Sequence, residues 1–195
     1  MLINYNELER ERDLSKSARH DIKAARFINE LVAEELGFQI GGLEPGKIIH
    51  VANDSRWSLH ELIVYCLKQT GPASLHFCTY AIKEFQARLF SNMLRDGVIT
   101  ELHALIDYRF RQHDPQAEQL LKACCTSHKW GKRLHGKVSV LKNESWAISI
   151  VGSANLTTNT SRDTMTITCD DGIANYWINW ITKLIKDESK SATNE

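Results

Sequence analysis

From Ser58 onward the chain alternates two kinds of segment: some repeat apolar residues every three or four positions, others are continuously apolar or aromatic. That alternation restricts it to an α/β architecture. "SLHELIVYCLKQ" sets Ser58 and Glu61 at the spacing of a capping box, a helix-start signal. "SLHFCTYAI" reads as a strand, "KEFQARLFSNMLRDG" as a helix carrying Phe85, Leu89 and Met93 and ending at Gly97, and "VITELHALIDY" as a strand again. "DPQAEQLLKACC" starts with Asp114 as cap and Pro115 at the first helical position. Three more strands are expected at 134–141, 146–151 and about 164–169, with "NES" turning the first into the second as a hairpin. A final helix from Gly172 puts Ile173, Tyr176, Trp177, Trp180, Ile181, Leu184 and Ile185 on one stripe, expected to be core. The fold class expected is α/β, a mixed β-sheet flanked by helices on both faces.

Upstream, Leu14, Ala18, Ile22, Ala25, Ile28, Val32 and Leu36 repeat with helical period across residues 7–36, and Gly37 reads as the stop. "GGLEPGK" (41–47) is turn-rich. It is taken as the border between an N-terminal helical extension (1–45) and the main domain (46–187), which begins with the strand "KIIHVA". Residues 188–195 read as a disordered polar tail.

Composition excludes more than it identifies. No window approaches eighteen uninterrupted apolar residues, so no membrane span is expected. The start of the chain does not resemble a secretion leader, which favours the cytoplasm. Five cysteines, an odd number without a C-x-x-C pair, argue against a disulfide framework and against a zinc knuckle. Lys plus Arg and Asp plus Glu number 24 each, so net charge says nothing about a polyanionic partner. Between His128 and Lys142, however, Lys129, Lys132, Arg133, Lys137 and Lys142 face no acid. Such a run is either solvated surface or an approach for phosphate.

The chemistry concentrates in "LHGKVSVLKNESWAISIVGSANLTTNT", residues 134–160. In a strand His135 and Lys137 would project from the same face, with Gly136 between them. An imidazole can attack phosphorus or carry a proton, and an ammonium beside it neutralises phosphate oxygens. After the hairpin, "GSAN" supplies the Ser153 hydroxyl and the Asn155 carboxamide, and Gly152 would let backbone approach a ligand.

With "HGK" at 135–137 and "GSAN" at 152–155, followed by "LT", the chain resembles the phospholipase D-like superfamily, whose signature is His-x-Lys followed by Gly-Ser-x-Asn. The resemblance implies that superfamily's mixed-sheet fold. It also implies a two-step phosphodiester cleavage: one histidine forms a phosphohistidine, and a second protonates the leaving oxygen and then activates water. Neither a metal nor another cofactor is implied. The residues it assigns to catalysis are His135, Lys137, Ser153, Asn155 and Asp163, the last orienting the histidine. Gly152, Lys132, Arg133 and Arg162 are placed on the substrate. Because the motif occurs once, the resemblance implies a homodimer that brings two copies together at its dyad. Nucleic acid, DNA ahead of RNA, is the expected substrate, with a phospholipid or another phosphodiester as the enzymatic alternative. Where the family carries an aspartate five residues after the lysine, this chain has Lys142, and the stretch before Gly152 is about three residues longer. Lys142 favours the other class of reading, a non-catalytic nucleic-acid-binding or scaffold member. Of the other histidines, His50, His60, His76, His103 and His113 read as structural, and His128 as a weak candidate for the site wall. Tyr80 and Tyr108, at strand ends, are weak candidates to flank it.

Overall fold

The computed structural model describes Ala24 and residues 26–158 and 161–187. Helix α1 (Glu30–Ile40) leads into strand β1 (Ile48–Ala52), helix α2 (Leu59–Thr70), strand β2 (Ala73–Thr79), helix α3 (Glu84–Arg95) and strand β3 (Ile99–Asp107). A 3₁₀ turn (Tyr108–Gln112) and helix α4 (Pro115–Cys124) follow. Strands β4 (Ser127–Gly131), β5 (Val138–Lys142), β6 (Ala147–Gly152) and β7 (Thr164–Thr168) precede helix α5 (Asp171–Lys186).

The strands form one mixed sheet in the order β1-β7-β6-β5-β2-β3-β4. β2, β3 and β4 run parallel, while β5, β6, β7 and β1 pair antiparallel in succession. Alternation along each strand divides the core between two faces. Leu75, Phe77, Ala104, Ile106, Ile148 and Ile150 join the cluster containing Leu36, Leu62, Phe90 and Leu121 from the first four helices. Cys78, Leu105, Val138 and Val140 pack instead with Ala174 and Ile181 of α5. Among the described residues helices therefore cover both faces, four against one.

Several local expectations are met for the reasons given. The Glu61 carboxylate accepts the Ser58 N–H at 2.7 Å, one half of the capping box at α2. The Asp114 side chain accepts the Ala117 N–H at 3.1 Å, with Pro115 opening α4. The turn between β5 and β6 is built by Asn143, whose Oδ1 accepts the N–H groups of Ser145 and Trp146. Its Nδ2 donates to the carbonyls of Thr70 and Pro72, tying the hairpin to the end of α2.

Four expectations need correction. Among the described residues, α1 starts only at Asn29, whose side chain caps it, and it runs through Gly37 to a left-handed Gly41 at φ 66°. Residues 7–23 of the expected helix and the tail at 188–195 lie outside the described residues. β4 was not expected, because "SHKWG" is a half-buried edge strand without polar–apolar alternation. β5 begins at Val138, so His135 and Lys137 stand on the loop before it. The stripe on α5 is only partly covered: Ile173 and Tyr176 remain exposed while Ala174 and Ile181 are buried. Among the described helices α5 is alone on its side of the sheet, so the strands supply most of its burial.

Two histidines fill core positions as neutral groups. Burial lowers His60 to about 4, and burial with the neighbouring His103 lowers His76 to about 4. The His76 and His103 rings stack with centroids 4.2 Å apart. Because folded-state values lie below the unfolded one, the unfolded chain binds more protons between about pH 6.5 and 4. Stability is then complete above the unfolded value and declines as pH falls across that window, by up to a few kcal/mol. Urea unfolding at pH 7.5 and 5.0 checks this, and His76→Gln should flatten the difference.

Candidate active site

The loop carrying His135 is held from below by β3. The Asp107 carboxylate, fully buried at the end of β3, accepts the Leu134 N–H at 2.8 Å. It also accepts the Arg109 N–H, Nε–H and Nη2–H at 3.0, 2.7 and 3.0 Å. Burial alone would raise its pKa, but the Arg109 side chain and the Arg109 and Leu134 backbone donors hold it below the usual carboxylate range. From β2, the Cys78 thiol donates to the Gly136 carbonyl at 3.4 Å. A Cβ on Gly136 would meet Cys78 Sγ at 3.2 Å and Trp180 Cη2 at 3.5 Å, so the loop lies flat against the α5 side of the sheet.

Beyond β6 the second polar pair arrives beside the first. The Gly152 N–H donates to the Lys137 carbonyl at 3.3 Å, extending the β5–β6 ladder by one rung and bringing Ser153 next to the lysine segment. Ser153 Oγ donates to Asp163 Oδ1 at 2.6 Å and accepts the Thr164 N–H at 3.2 Å. Asp163 is in turn clasped by Asn53, whose Oδ1 accepts its N–H at 2.8 Å and whose N–H donates to its carbonyl at 3.0 Å. The Thr79 hydroxyl donates to Asn155 Oδ1 at 3.4 Å and to the Ala81 carbonyl at 2.9 Å, linking that carboxamide to the end of β2. The next residue, Tyr80, sets its ring 6.0 Å from the His135 imidazole. Lys137 Nζ donates to the His135 carbonyl at 3.2 Å.

His135, Lys137, Ser153, Asn155 and Asp163 thus gather at one edge of the sheet, where β2, β3 and β6 end and β5 and β7 begin. His135 and Ser153 are exposed; Lys137, Asn155 and Asp163 are half-buried. The partner drawn to Asp163 is Ser153, so in this chain the carboxylate orients the hydroxyl. At Gly152 the structure shows a close approach of backbone. A Cβ there would lie 2.2 Å from the Thr164 carbonyl oxygen and 2.9 Å from Met165 Cα, so its missing side chain admits β7. A groove of about 450 Å³ runs past it between His50, Val151 and Thr164.

The basic run divides by role. Lys142 Nζ bonds Asp171 Oδ1 at 2.8 Å and Asn175 Oδ1 at 2.6 Å, and this lysine keeps the Asp171 carboxyl below its ordinary range. It anchors the first turn of α5 at the far end of β5. Lys129 donates to the Asp187 carbonyl behind the sheet. Lys132 and Arg133 are exposed on the loop before His135, with Arg133 at φ 57°, and Arg162 is exposed after β6. His128 turns toward α4, where burial and Lys122 lower its pKa against the pull of Glu118, away from His135.

Asp107 and Arg109 carry no motif in the sequence, and Tyr80 is marked there only by its place at a strand end. The available signal was their place at or just past the ends of the parallel strands β2 and β3, where open α/β sheets carry their sites. Among the described residues no helix is long and apolar enough to cross a membrane, and no three His, Cys, Asp or Glu side chains cluster to hold a metal ion.

No protein-family model matches the chain, and no curated protein matches it in sequence. Solved structures do. NucT from Helicobacter pylori superimposes with a TM-score of 0.54 at 15% identity, over 72% of this chain and 97% of that one. Nuc from Salmonella typhimurium, a phospholipase D family member, does so with a TM-score of 0.54 at 14% identity, over 71% and 93%. The chain has the phospholipase D-like fold.

Proposed function

We propose that this phospholipase D-like fold carries a phosphodiesterase that cleaves nucleic acid through a phosphohistidine, in a site completed by a second copy of the chain. The observation that carries the reading is the gathering of His135, Lys137, Ser153 and Asn155 at one sheet edge, joined by the Gly152–Lys137 bond. A ring nitrogen of His135 attacks phosphorus, and the bond to the leaving oxygen breaks as the second copy's His135 supplies its proton. The second imidazole then takes a proton from water, the hydroxide attacks phosphorus, and the N–P bond breaks to release a phosphomonoester and free histidine. Lys137 and Asn155 donate to the non-bridging oxygens as charge grows on them. Ser153 gives its one hydroxyl proton to Asp163, so its oxygen is left to accept from the N–H of the second imidazole.

Two copies are needed because the His-x-Lys motif occurs once in the chain, and an isologous contact would pair His135 with its equivalent. The exposed setting of His135 and Ser153 leaves room for that contact. Nucleic acid is favoured by Lys132, Arg133 and Arg162 around the loop, cations that β-sheet and helix contacts have not consumed. Wild-type protein is expected to hydrolyse bis(p-nitrophenyl) phosphate and DNA with EDTA present, and to sediment as a dimer. No turnover on either substrate would sink the enzyme reading, and a strict monomer at high concentration would sink the shared site. Nucleic-acid binding without turnover would instead support the non-catalytic reading, for which the lysine at position 142 is the favouring feature.

A further inference from the structure

Arg109 stands beside the site yet has no part in the chemistry above. Its Nε and Nη2 pair with the two oxygens of Asp107, so a fully buried carboxylate sets the plane of its guanidinium. That carboxylate also holds the Leu134 N–H, one residue before His135. The guanidinium carbon lies 5.1 Å from the centre of the Tyr80 ring, whose centre is 6.0 Å from that of the His135 ring. Arg109 and His135 are therefore fixed through the same two groups, Asp107 and Tyr80. The Arg109 side chain is about half exposed, and its Nη1 donates to no described residue. A guanidinium already locked in place loses little freedom when it binds a further oxyanion, and its unused N–H pair matches phosphate geometry. Lys83, whose Nζ sits 5.3 Å from the centre of the adjacent Phe110 ring, continues the positive lip.

We propose that Arg109 is a second anion subsite, which takes the phosphate next to the scissile one in a polynucleotide, and that Asp107 positions both this subsite and the His135 loop. The inference rests on the nuclease reading and sharpens it. A substrate with a single phosphodiester cannot occupy both His135 and Arg109, whereas a polynucleotide carries a charge at every nucleotide. The site is thereby tuned to chains of phosphodiesters rather than to an isolated one.

The test compares wild type, Arg109→Ala and Arg109→Gln on a fluorescein-labelled oligonucleotide and on bis(p-nitrophenyl) phosphate. Oligonucleotide binding is also followed by anisotropy over a salt series in the His135→Ala protein, with and without the Arg109 change. Both variants should lower the ratio of kcat/KM on the oligonucleotide to that on the small diester by about tenfold, mainly through KM, as expected for losing one charged contact. The slope of log Kd against log salt should fall by about one. Proportional loss on both substrates, or an unchanged salt slope, overturns the subsite. Asp107→Asn should lower kcat on both substrates, and an unchanged kcat would overturn its positioning role. If wild type cleaves neither substrate but the Arg109 change still removes a unit of salt slope, the nuclease reading fails and the anion subsite stands. Absence of oligonucleotide binding by the His135→Ala protein overturns the subsite, and the nuclease reading falls with it only if wild type also cleaves neither substrate.

Discussion

His135→Ala protein will hydrolyse bis(p-nitrophenyl) phosphate and DNA on the order of 10⁴-fold or more slowly than wild type, the scale on which losing a nucleophile lowers turnover. Among the described residues the imidazole is exposed, makes no hydrogen bond through its ring, and lies beside the Tyr80 ring. Truncation therefore costs little packing, and the unfolding transition should stay within experimental error of wild type. That separation of activity from stability distinguishes a reacting histidine from a structural one. The shared-site reading adds a sharper consequence. When wild-type and His135→Ala chains are unfolded together and refolded in equal amounts, only about a quarter of the dimers carry two intact histidines. Activity per total chain should then fall to about that fraction if both rings are needed in one dimer. A fall to only half would mean that each chain works alone, and turnover within tenfold of wild type in the pure variant would remove His135 from the chemistry.

Gly152→Ala should be the most damaging small change in the sheet. The added Cβ would sit 2.2 Å from the Thr164 carbonyl oxygen and 2.7 Å from Met165 Cγ, and the first of these belongs to backbone that cannot swing aside. Thr164 is already engaged there, its carbonyl accepting the Ser153 N–H at 3.0 Å. Relieving the clash pushes β7 from β6 and with it Asp163 from Ser153. The expected loss is about 3 kcal/mol, at the upper end for overpacking, or a melting temperature lower by about 10 °C. Gly136→Ala is the internal comparison, because its Cβ would meet side-chain atoms at 3.2 and 3.5 Å. Urea unfolding of the two variants should rank Gly152→Ala well below Gly136→Ala. Equal midpoints would show that the β6–β7 approach is looser than it looks.

These outcomes bear on how Gly-Ser-x-Asn is to be read in this chain. Gly152 belongs to the packing of two strands, and Ser153, Asn155 and Asp163 take their positions from that packing. Lys142, the departure from the expected pattern, secures the start of α5 through Asp171 and Asn175. Its effect on catalysis is thus separable from the motif: Lys142→Ala should loosen that helix start without touching the His135 loop.

Much of the architecture was legible because its causes are local. Ser58 with Glu61, and Asp114 with Pro115, start helices by bonding their own first turns, and runs such as "SLHFCTYAI" need only burial on both faces to become strands. His-x-Lys and Gly-Ser-x-Asn were legible for the same reason, since a hairpin between them needs nothing beyond its own turn. Other features depend on partners far along the chain. β4 exists because β3 offers it an edge, not because "SHKWG" prefers to extend. The exposure of Ile173 and Tyr176 goes with α5 having no helical neighbour on its side of the sheet among the described residues.

The amino-acid order by itself determined the alternation of helices and strands, the hairpin, and which four polar residues would meet at its open end. Only the tertiary structure decided that a buried Asp107 ties down the His135 loop, that Asp163 turns to Ser153, and that Arg109 stands ready on Tyr80. Those pairings join residues 10 to 29 positions apart, where no periodicity records them. They arise when the sheet stacks its strand ends side by side, and buried polar groups must then find their partners across the chain.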